Sequence, residues 1–384
     1  MKRSLTRILT THCGSLPRPK DLLDQMKAQA TGEPYDSKAW EARVRRAVAE
    51  SVRWQAETGI DIPSDGEQGK PGFFAYVRER LDGFEPRPGA NFPRFTAETE
   101  AFPEYYAEYM GHAMTGAAVV PIIPLVCTRP VRYRGDEAVQ RDIDNLKAAV
   151  SNLAAEEVFL PSVAPSGVGF NEYYRTEQEY FEAVGAAMHH EYEAIVDAGL
   201  LVQIDDPFLT EIFSRPSLSA REQRSAAQMW VEALNHALAG IPAERVRFHT
   251  CYGINEGPRI HDAPLKEIVE VMLRINAGAY SFEAANPRHE HEYHVWETVK
   301  LPEGKVLIPG VITHASNIVE HPELIAERIT RYAERVGREN VIAGSDCGFS
   351  SQATYHPEVH PTVVWEKFRA LAEGARLATR QLWG

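Results

Sequence analysis

Short apolar runs recur along the chain at 7–12, 60–66, 158–164, 200–206, 246–251, 279–284, 306–312 and 341–347. Runs of six or seven residues without strict alternation read as strands buried on both faces. Between them lie longer stretches, 38–58, 177–198, 219–239, 264–277 and 322–336, in which apolar residues return every three or four positions. That is helical spacing. Eight strand–helix alternations over this length predict an α/β fold, a TIM-type (β/α)8 barrel. Three segments break the rhythm. Residues 73–114, rich in Pro, Phe, Tyr and Glu, predict a helical and loop excursion after strand two that covers one barrel mouth. Residues 119–133 predict an inserted β-hairpin, since Pro121 and Pro124 suit edge strands better than a central one. The tail, 362–384, predicts a closing helix. Nothing resembles an internal repeat or a linker, so residues 1–384 are expected to form one barrel domain with these insertions.

Polar residues at the predicted strand ends change the picture from scaffold to chemistry, because the functional face of such a barrel is the one where its strands end. His249 and Cys251 stand two apart on a strand, so both side chains point to the same side. Glu283 closes the run at 279–283 and Cys347 the run at 341–347. One imidazole, two thiols and one carboxylate suit Zn²⁺ better than the hard cations, which take all-oxygen shells. The plainer reading is that the cysteines are buried small side chains. It leaves unexplained why four donors share strand ends. Ligands scattered over separate strands also differ from the closely spaced cysteine knuckles of a structural zinc site.

Other groups gather at the same face. The turn Thr11-His12-Cys13-Gly14-Ser15-Leu16-Pro17-Arg18 offers backbone N–H groups, the Ser15 hydroxyl and the Arg18 guanidinium to a carboxylate. Strand two ends on Asp65 and Glu67, and strand four on Asp205 and Asp206. Crowded carboxylates repel unless a cation compensates them, which suggests a substrate bearing positive charge. One of the last pair is expected to cap the following helix. His289, His291 and His294 form the densest histidine cluster; His289 and His291, with Asp65, are the candidates for acid–base work. His314 follows the seventh run as a further candidate. Cys13 and Cys127 read as core or site-lining thiols.

Composition narrows the partners. With 44% hydrophobic residues and a formal charge of −13, the chain can bury a large core but lacks the basic balance that nucleic acid or an anionic membrane would require. The basic start, Met1-Lys-Arg-Ser-Leu-Thr-Arg, precedes no apolar h-region, and no stretch is long and apolar enough to span a bilayer. Four cysteines without a secretion signal do not form a disulfide framework. A cytoplasmic enzyme is expected, with small molecules as partners; a homo-oligomer is compatible with the sequence.

The chain resembles the catalytic domain of cobalamin-independent methionine synthase and its single-barrel relatives, a family of zinc-dependent thiol alkyltransferases. The resemblance spans nearly all of it, through Gly14-Ser15, Asp65-Gly66-Glu67, Gln203-Ile-Asp-Asp-Pro207, His249-Thr-Cys251, Ser281-Phe-Glu283, Glu320 with Arg328, and Ser345-Asp-Cys347-Gly. It implies zinc on His249, Cys251, Glu283 and Cys347. It also implies that Ser15, Glu67 and Asp205 hold the amino-acid part of homocysteine. The expected function is then methyl or other alkyl transfer from a small donor to a thiol, as in methionine biosynthesis. A lyase that makes or breaks C–S bonds, such as an epoxyalkane:coenzyme M transferase, is the alternative, with Arg18 and Lys70 nearest to serve a sulfonate. A metal-free decarboxylase on a related barrel would leave the cysteines without a task. Two departures stand out. Residues 160–170 lack the Trp that stacks on a pterin in the family, and Asp206 replaces the Glu of its Asp-Glu-Pro triplet. The family's full-length members also carry a second barrel, for which this chain is too short.

Overall fold

The computed structural model describes residues 1–90, 94–253 and 256–384. Ten strands occur among them: β1 (Leu9–Thr10), β2 (Leu81–Pro86), β3 (Leu125–Tyr133), β4 (Phe159–Val163), β5 (Phe170–Asn171), β6 (Leu201–Asp205), β7 (Val246–His249), β8 (Ala279–Phe282), β9 (Val306–Ile312) and β10 (Ile342–Ser345). Seven form one parallel sheet in the order β1-β10-β9-β8-β7-β6-β4. Its two edges meet through the segment after helix Ser37–Glu57: Ile62 bridges Thr11, and Ser64 bridges Phe159, both in parallel. The sheet thus curls into a TIM-like α/β barrel whose second strand is reduced to two bridge residues. Pro63, which has no N–H to give, sits between them.

Alternation along the strands sorts side chains between two cores. On β7, Val246 and Phe248 join the large core under the helices. Leu9, Ile62, Phe159, Leu201, Ala279, Val306, Ile308 and Ile342, one or two from each of the other strands, form a separate interior layer. The intervening β7 residue is Arg247, which is fully buried. It donates to Thr11 Oγ1 and to the His12 carbonyl, each at 3.0 Å, and its guanidinium lies 3.8 Å from the centre of the Phe159 ring. Burial lowers its pKa only to about 10, so it stays charged. The same alternation points His249 inward, one turn of the pleat above Arg247.

Helices Ser37–Glu57, Glu177–Asp197, Ala220–Ala237 and Pro322–Val336 occupy the stretches with three- and four-residue spacing. Asp36, Thr176 and Ser219 cap the first three, Ser219 through a reciprocal box with Glu222. The helix expected over 264–277 covers only Leu265–Met272, since Asn276 and Gly278 favour a turn before β8. The tail forms helix Pro361–Trp383. Its Gly374 lets it pack closely on Pro322–Val336: a Cβ there would lie 2.4 Å from Ile325 Cγ2.

The hairpin expected within 119–133 is not formed by that segment alone. Its second half is β3, and its antiparallel partner is β2, from the excursion; β5 adds a third, parallel strand. The first half cannot pair in the same way because Pro121 and Pro124 lack donors. Val119 N–H donates instead to the Ala353 carbonyl at 2.8 Å. Gly83 (φ 98°) makes the bulge between Asp82 and Phe84, where a Cβ would meet the Pro130 carbonyl at 2.7 Å. The rest of the excursion carries helices Thr96–Ala101 and Pro103–His112; residues 91–93 of it lie outside the described residues. Among the described residues, no helix is long and apolar enough to cross a membrane.

Candidate functional site

The barrel strands end beneath a cavity of about 1080 Å³. Parallel pairing of β1 with β10, Leu9 beside Ile342 and Thr10 beside Ala343, sends both chains out side by side. Three residues past β1 comes Cys13; two past β10 comes Cys347. Ser345 ties them together, its hydroxyl accepting from Cys13 N–H at 3.1 Å and donating to the Cys347 carbonyl at 3.0 Å. The third thiol, Cys251, follows β7. All three pack as one cluster made only of thiols, with Cys347 in hydrogen-bonding contact with both others. The donor atoms of Cys13, His249 and Cys347 lie within 4.8 Å of one another.

His249 is prepared to act as a ligand. Its Nδ1 is 3.2 Å from Ser281 Oγ, while its Nε2 is buried with no hydrogen-bond partner. Burial drops its pKa to about 3, so the ring is neutral with a lone pair to offer. Burial pushes the Cys13 thiol up to about 12, while Cys251 and Cys347 are raised well above the usual thiol range first by their contacts with Cys347 and Cys13 respectively and then by burial. Three crowded sulfurs and an orphaned imidazole nitrogen fit a borderline-soft cation, whose charge would reverse those thiol shifts.

Glu283 is not grouped with Cys13, His249 and Cys347 within 4.8 Å, although its charge reaches His249, Cys251 and Cys347. One carboxylate oxygen accepts from Tyr252 N–H at 3.0 Å; the other accepts from Asn286 Nδ2 at 2.6 Å and forms a 2.9 Å ion pair with Arg259. Burial would raise its pKa, but Arg259 and the nearby histidines outweigh this and hold it at about 2. Glu283 also lies within 4.8 Å of His314 and Asp346. Asp346 is occupied by the backbone N–H groups of Ala284 and Ala285, at 2.7 and 2.8 Å. Glu283 is not among the residues lining the cavity, whereas Cys13, His249, Cys251 and Cys347 are.

Ser15, Glu67 and Asp205 line the same cavity. Glu67 adopts φ 55°, a left-handed conformation that a non-glycine residue enters only at a cost. Asp65 and Arg18 hold it there: Asp65 Oδ1 accepts from Glu67 N–H at 3.0 Å, and Arg18 donates to the Glu67 and Ser350 carbonyls, each at 2.9 Å. These two, read from sequence as acid–base and substrate groups, thus support the Glu67 turn and do not face the cavity. Lys70 similarly donates to the Pro161 carbonyl at 2.6 Å. Glu67 Oε2 is buried without a partner. Burial lifts its pKa to about 7, against Lys70 and Arg18. Asp205 is raised well above the usual carboxylate range by burial and by Glu67, although Gln203 donates to its Oδ1 at 2.8 Å and also to the Cys13 carbonyl at 2.5 Å. Asp206 is the capping member of its pair, accepting from Ser166 Oγ at 2.7 Å and from Leu209 N–H at 3.0 Å.

The histidine cluster does not converge on the cavity. His291 and His294 are exposed, because the 3-10 stretch over Glu290–Glu297 turns Glu292 and Trp296 inward and leaves these two histidines on its outer side. His289 is buried between Glu292 (2.8 Å) and Asp262 (3.0 Å) and stacks on Tyr252 at 3.9 Å between ring centres. Burial would lower its pKa; the two carboxylates raise it to about 9. It is therefore a structural cation. Because the folded-state value lies above the ordinary 6.5, its stabilisation is complete below pH 6.5 and fades as pH rises through 9. His289→Gln is expected to cost about 2–3 kcal/mol at neutral pH and to flatten the decline in Tm between pH 6.5 and 9, as read by thermal denaturation across that range.

Gln203 and Ser345 entered from sequence only as members of motifs, with no role of their own, and Cys13 as a core or lining thiol; Cys13 follows β1 and Ser345 ends β10, which was the available signal, whereas Gln203 lies within β6. Above them the cavity has an apolar wall that includes Phe73, Phe74, Phe95 and Phe208, with the Arg94 guanidinium 4.2 Å over the Phe208 ring. The volume is at the top of the range for a single small ligand, leaving room for two reactants.

Comparison with known proteins places this site in context. The sequence profile described as "Cobalamin-independent synthase, Catalytic domain" matches residues 167–362. A methionine synthase of Sulfolobus acidocaldarius is 23% identical over 352 residues, 91% of this chain and 87% of that protein. One from Thermococcus kodakarensis is 23% identical over 379 residues, 97% and 94% of the two chains. The structure of a B12-independent methionine synthase from a Shewanella species, in complex with selenomethionine, superposes with a TM-score of 0.75 at 18% identity, covering 98% of this chain and 99% of that one. At that identity the likeness concerns the fold.

Proposed function

The chain belongs to the cobalamin-independent synthase catalytic-domain family, and from that premise we propose that it transfers a methyl group to the sulfur of homocysteine or a closely similar ammonium-bearing thiol. The observation that carries the substrate class is the partnerless, buried Glu67 Oε2 beside Asp205, at the same cavity as the thiol cluster. A buried carboxylate without a donor is costly unless a cation meets it, and an α-ammonium supplies one. Ser15, at the neighbouring turn, offers its hydroxyl to the substrate carboxylate. The relatives are methionine synthases, and the Shewanella protein holds selenomethionine, a methylated amino acid of the expected product shape.

The cysteines and His249 are assigned to Zn²⁺. When bound there, the ion acts as a Lewis acid that keeps a substrate thiol deprotonated near neutral pH. The chain's own residues do the rest. Glu67 and Asp205 fix the ammonium end, so the substrate sulfur is directed toward the metal-binding residues; the Phe-rich wall excludes water and seats the donor. The new S–C bond forms as the donor's bond to that carbon breaks, and the leaving group departs with the electron pair. Arg94, one of the cavity's cations and paired with Glu211 at 3.9 Å, is the one stacked on the Phe-rich wall and would receive an anionic portion of the donor.

A sulfonate thiol is disfavoured by the same geometry. The thiol end presents carboxylates, while Arg18 and Lys70 are engaged with backbone carbonyls. The test uses methyl iodide as a generic electrophile at pH 7 with zinc-loaded and metal-free protein. The zinc-loaded protein is expected to methylate homocysteine faster than the free thiol reacts, and to leave 2-mercaptoethanesulfonate at its uncatalysed rate. Acceleration of the sulfonate thiol alone, or of neither, would overturn the proposal.

A further inference from the structure

We infer that Cys13 is a metal ligand in this chain and that Glu283 is not, so that the resting site is closed by three sulfurs and one imidazole nitrogen. The inference rests on the proposed zinc-dependent function and changes which residues hold the ion.

Four observations point the same way. The atoms of Cys13, His249 and Cys347 already lie within 4.8 Å of one another. Cys251 joins them through Cys347. Both oxygens of Glu283 are committed elsewhere, to Tyr252 N–H, Asn286 and Arg259. Freeing the carboxylate for a metal would leave Arg259 with one fewer partner in a buried setting. Finally, Cys13 does not sit like an ordinary core thiol. Cys127 packs within the large hydrophobic core, whereas Cys13 has only the other two thiols as partners in its cluster and faces the cavity.

The backbone around Cys13 is arranged to hold it in place. Its N–H is held by Ser345 Oγ at 3.1 Å and its carbonyl by Gln203 Nε2 at 2.5 Å, so the residue is pinned from β10 and β6 together. Gly14, next in sequence, has φ 125°, and a Cβ there would stand 2.8 Å from Pro161 Cγ and 3.4 Å from Glu67 Oε1. The turn that aims Cys13 at the other thiols therefore also makes space for the Glu67 carboxylate. Exchanging a carboxylate for a thiolate keeps the formal charge of the shell, two thiolates plus one carboxylate against three thiolates, while making the set softer and more selective for zinc over oxygen-seeking ions. An incoming thiol would have to enter as a fifth ligand or displace one of the four.

Zinc K-edge X-ray absorption on the whole protein counts the sulfurs directly. The wild type is expected to show three sulfurs per zinc, Cys13→Ser two, and Glu283→Gln three. Competition with a chromophoric chelator should show zinc affinity falling by more than about 10²-fold in Cys13→Ser, beyond the cost of losing an outer-shell partner, and by less than about 10-fold in Glu283→Gln. Cys13→Val, which keeps an apolar side chain of similar size, is run beside the serine variant with circular dichroism to separate lost ligation from misfolding; it should match the serine variant in sulfur count while retaining the wild-type spectrum. Two sulfurs in the wild type, or a sulfur count unchanged by both Cys13 substitutions, overturns the inference and leaves the functional proposal standing. A wild-type protein that binds no zinc at all overturns both.

Discussion

Cys347→Ser is expected to lower kcat for thiol methylation about 10³-fold, the equivalent of the several kcal/mol that a metal contributes to such a step. Cys347 is the hub of the cluster, in contact with both Cys13 and Cys251. A serine hydroxyl is a poor ligand for a soft ion, and the change removes the sulfur that joins the other two. The fold should survive. Ser345 contacts the Cys347 backbone, not its side chain, and the barrel interior is built from other residues. Metal analysis together with single-turnover rates on the folded variant checks the expectation; full zinc content with undiminished turnover would remove Cys347 from the site.

Asp205→Asn is expected to raise KM for homocysteine about 10²-fold with little change in kcat: burial and Glu67 hold the Asp205 pKa well up until a cation meets it, and an amide cannot ionise to pair with the ammonium, a loss of about 2–5 kcal/mol made equally in ground and transition states. The amide keeps the volume and can still accept from Gln203, so packing should not change. The pH dependence follows from Glu67. Burial holds its pKa near 7, so below that value it takes a proton and loses its attraction for the substrate ammonium. KM should therefore rise as pH falls through about 7 and level off above it. An ammonium-free analogue, 4-mercaptobutyrate, should show neither the Asn effect nor this pH limb. Steady-state kinetics with both thiols from pH 6 to 8.5 decides, and an unchanged KM in the variant would contradict ammonium recognition.

The barrel was legible because buried parallel strands and amphipathic helices leave different periodicities, and here the two alternate around the whole chain. Strand two was the exception in form: its run is present, but Pro63 leaves only bridges at Ile62 and Ser64. That His249, Cys251 and Cys347 line one cavity follows from the same architecture, since strand ends converge in it. What the sequence could not give was direction and competition. Glu283 occupies a strand end like the cysteines, yet Arg259, placed in a loop at φ 52°, captures it; nothing local announces that pairing. Asp65 and Arg18 belong to the correct loops but spend their polar groups on the Glu67 backbone. The density of His289, His291 and His294 suggested convergence, whereas the 3-10 turn disperses them. The partner of β3 was misread because antiparallel pairing across a long excursion leaves no local trace.

Arg247 gives the barrel a fixed positive charge directly below its reactive mouth, fully out of water. Its field disfavours protonation of His249 and favours the ionised form of Asp205. One side chain, rooted among hydrocarbon and braced on Phe159, thus biases a nitrogen toward donating its lone pair and an oxygen toward greeting a cation. The interior layer of this barrel is consequently more than filler: it acts as an electrostatic counterweight for the surplus of acids assembled overhead.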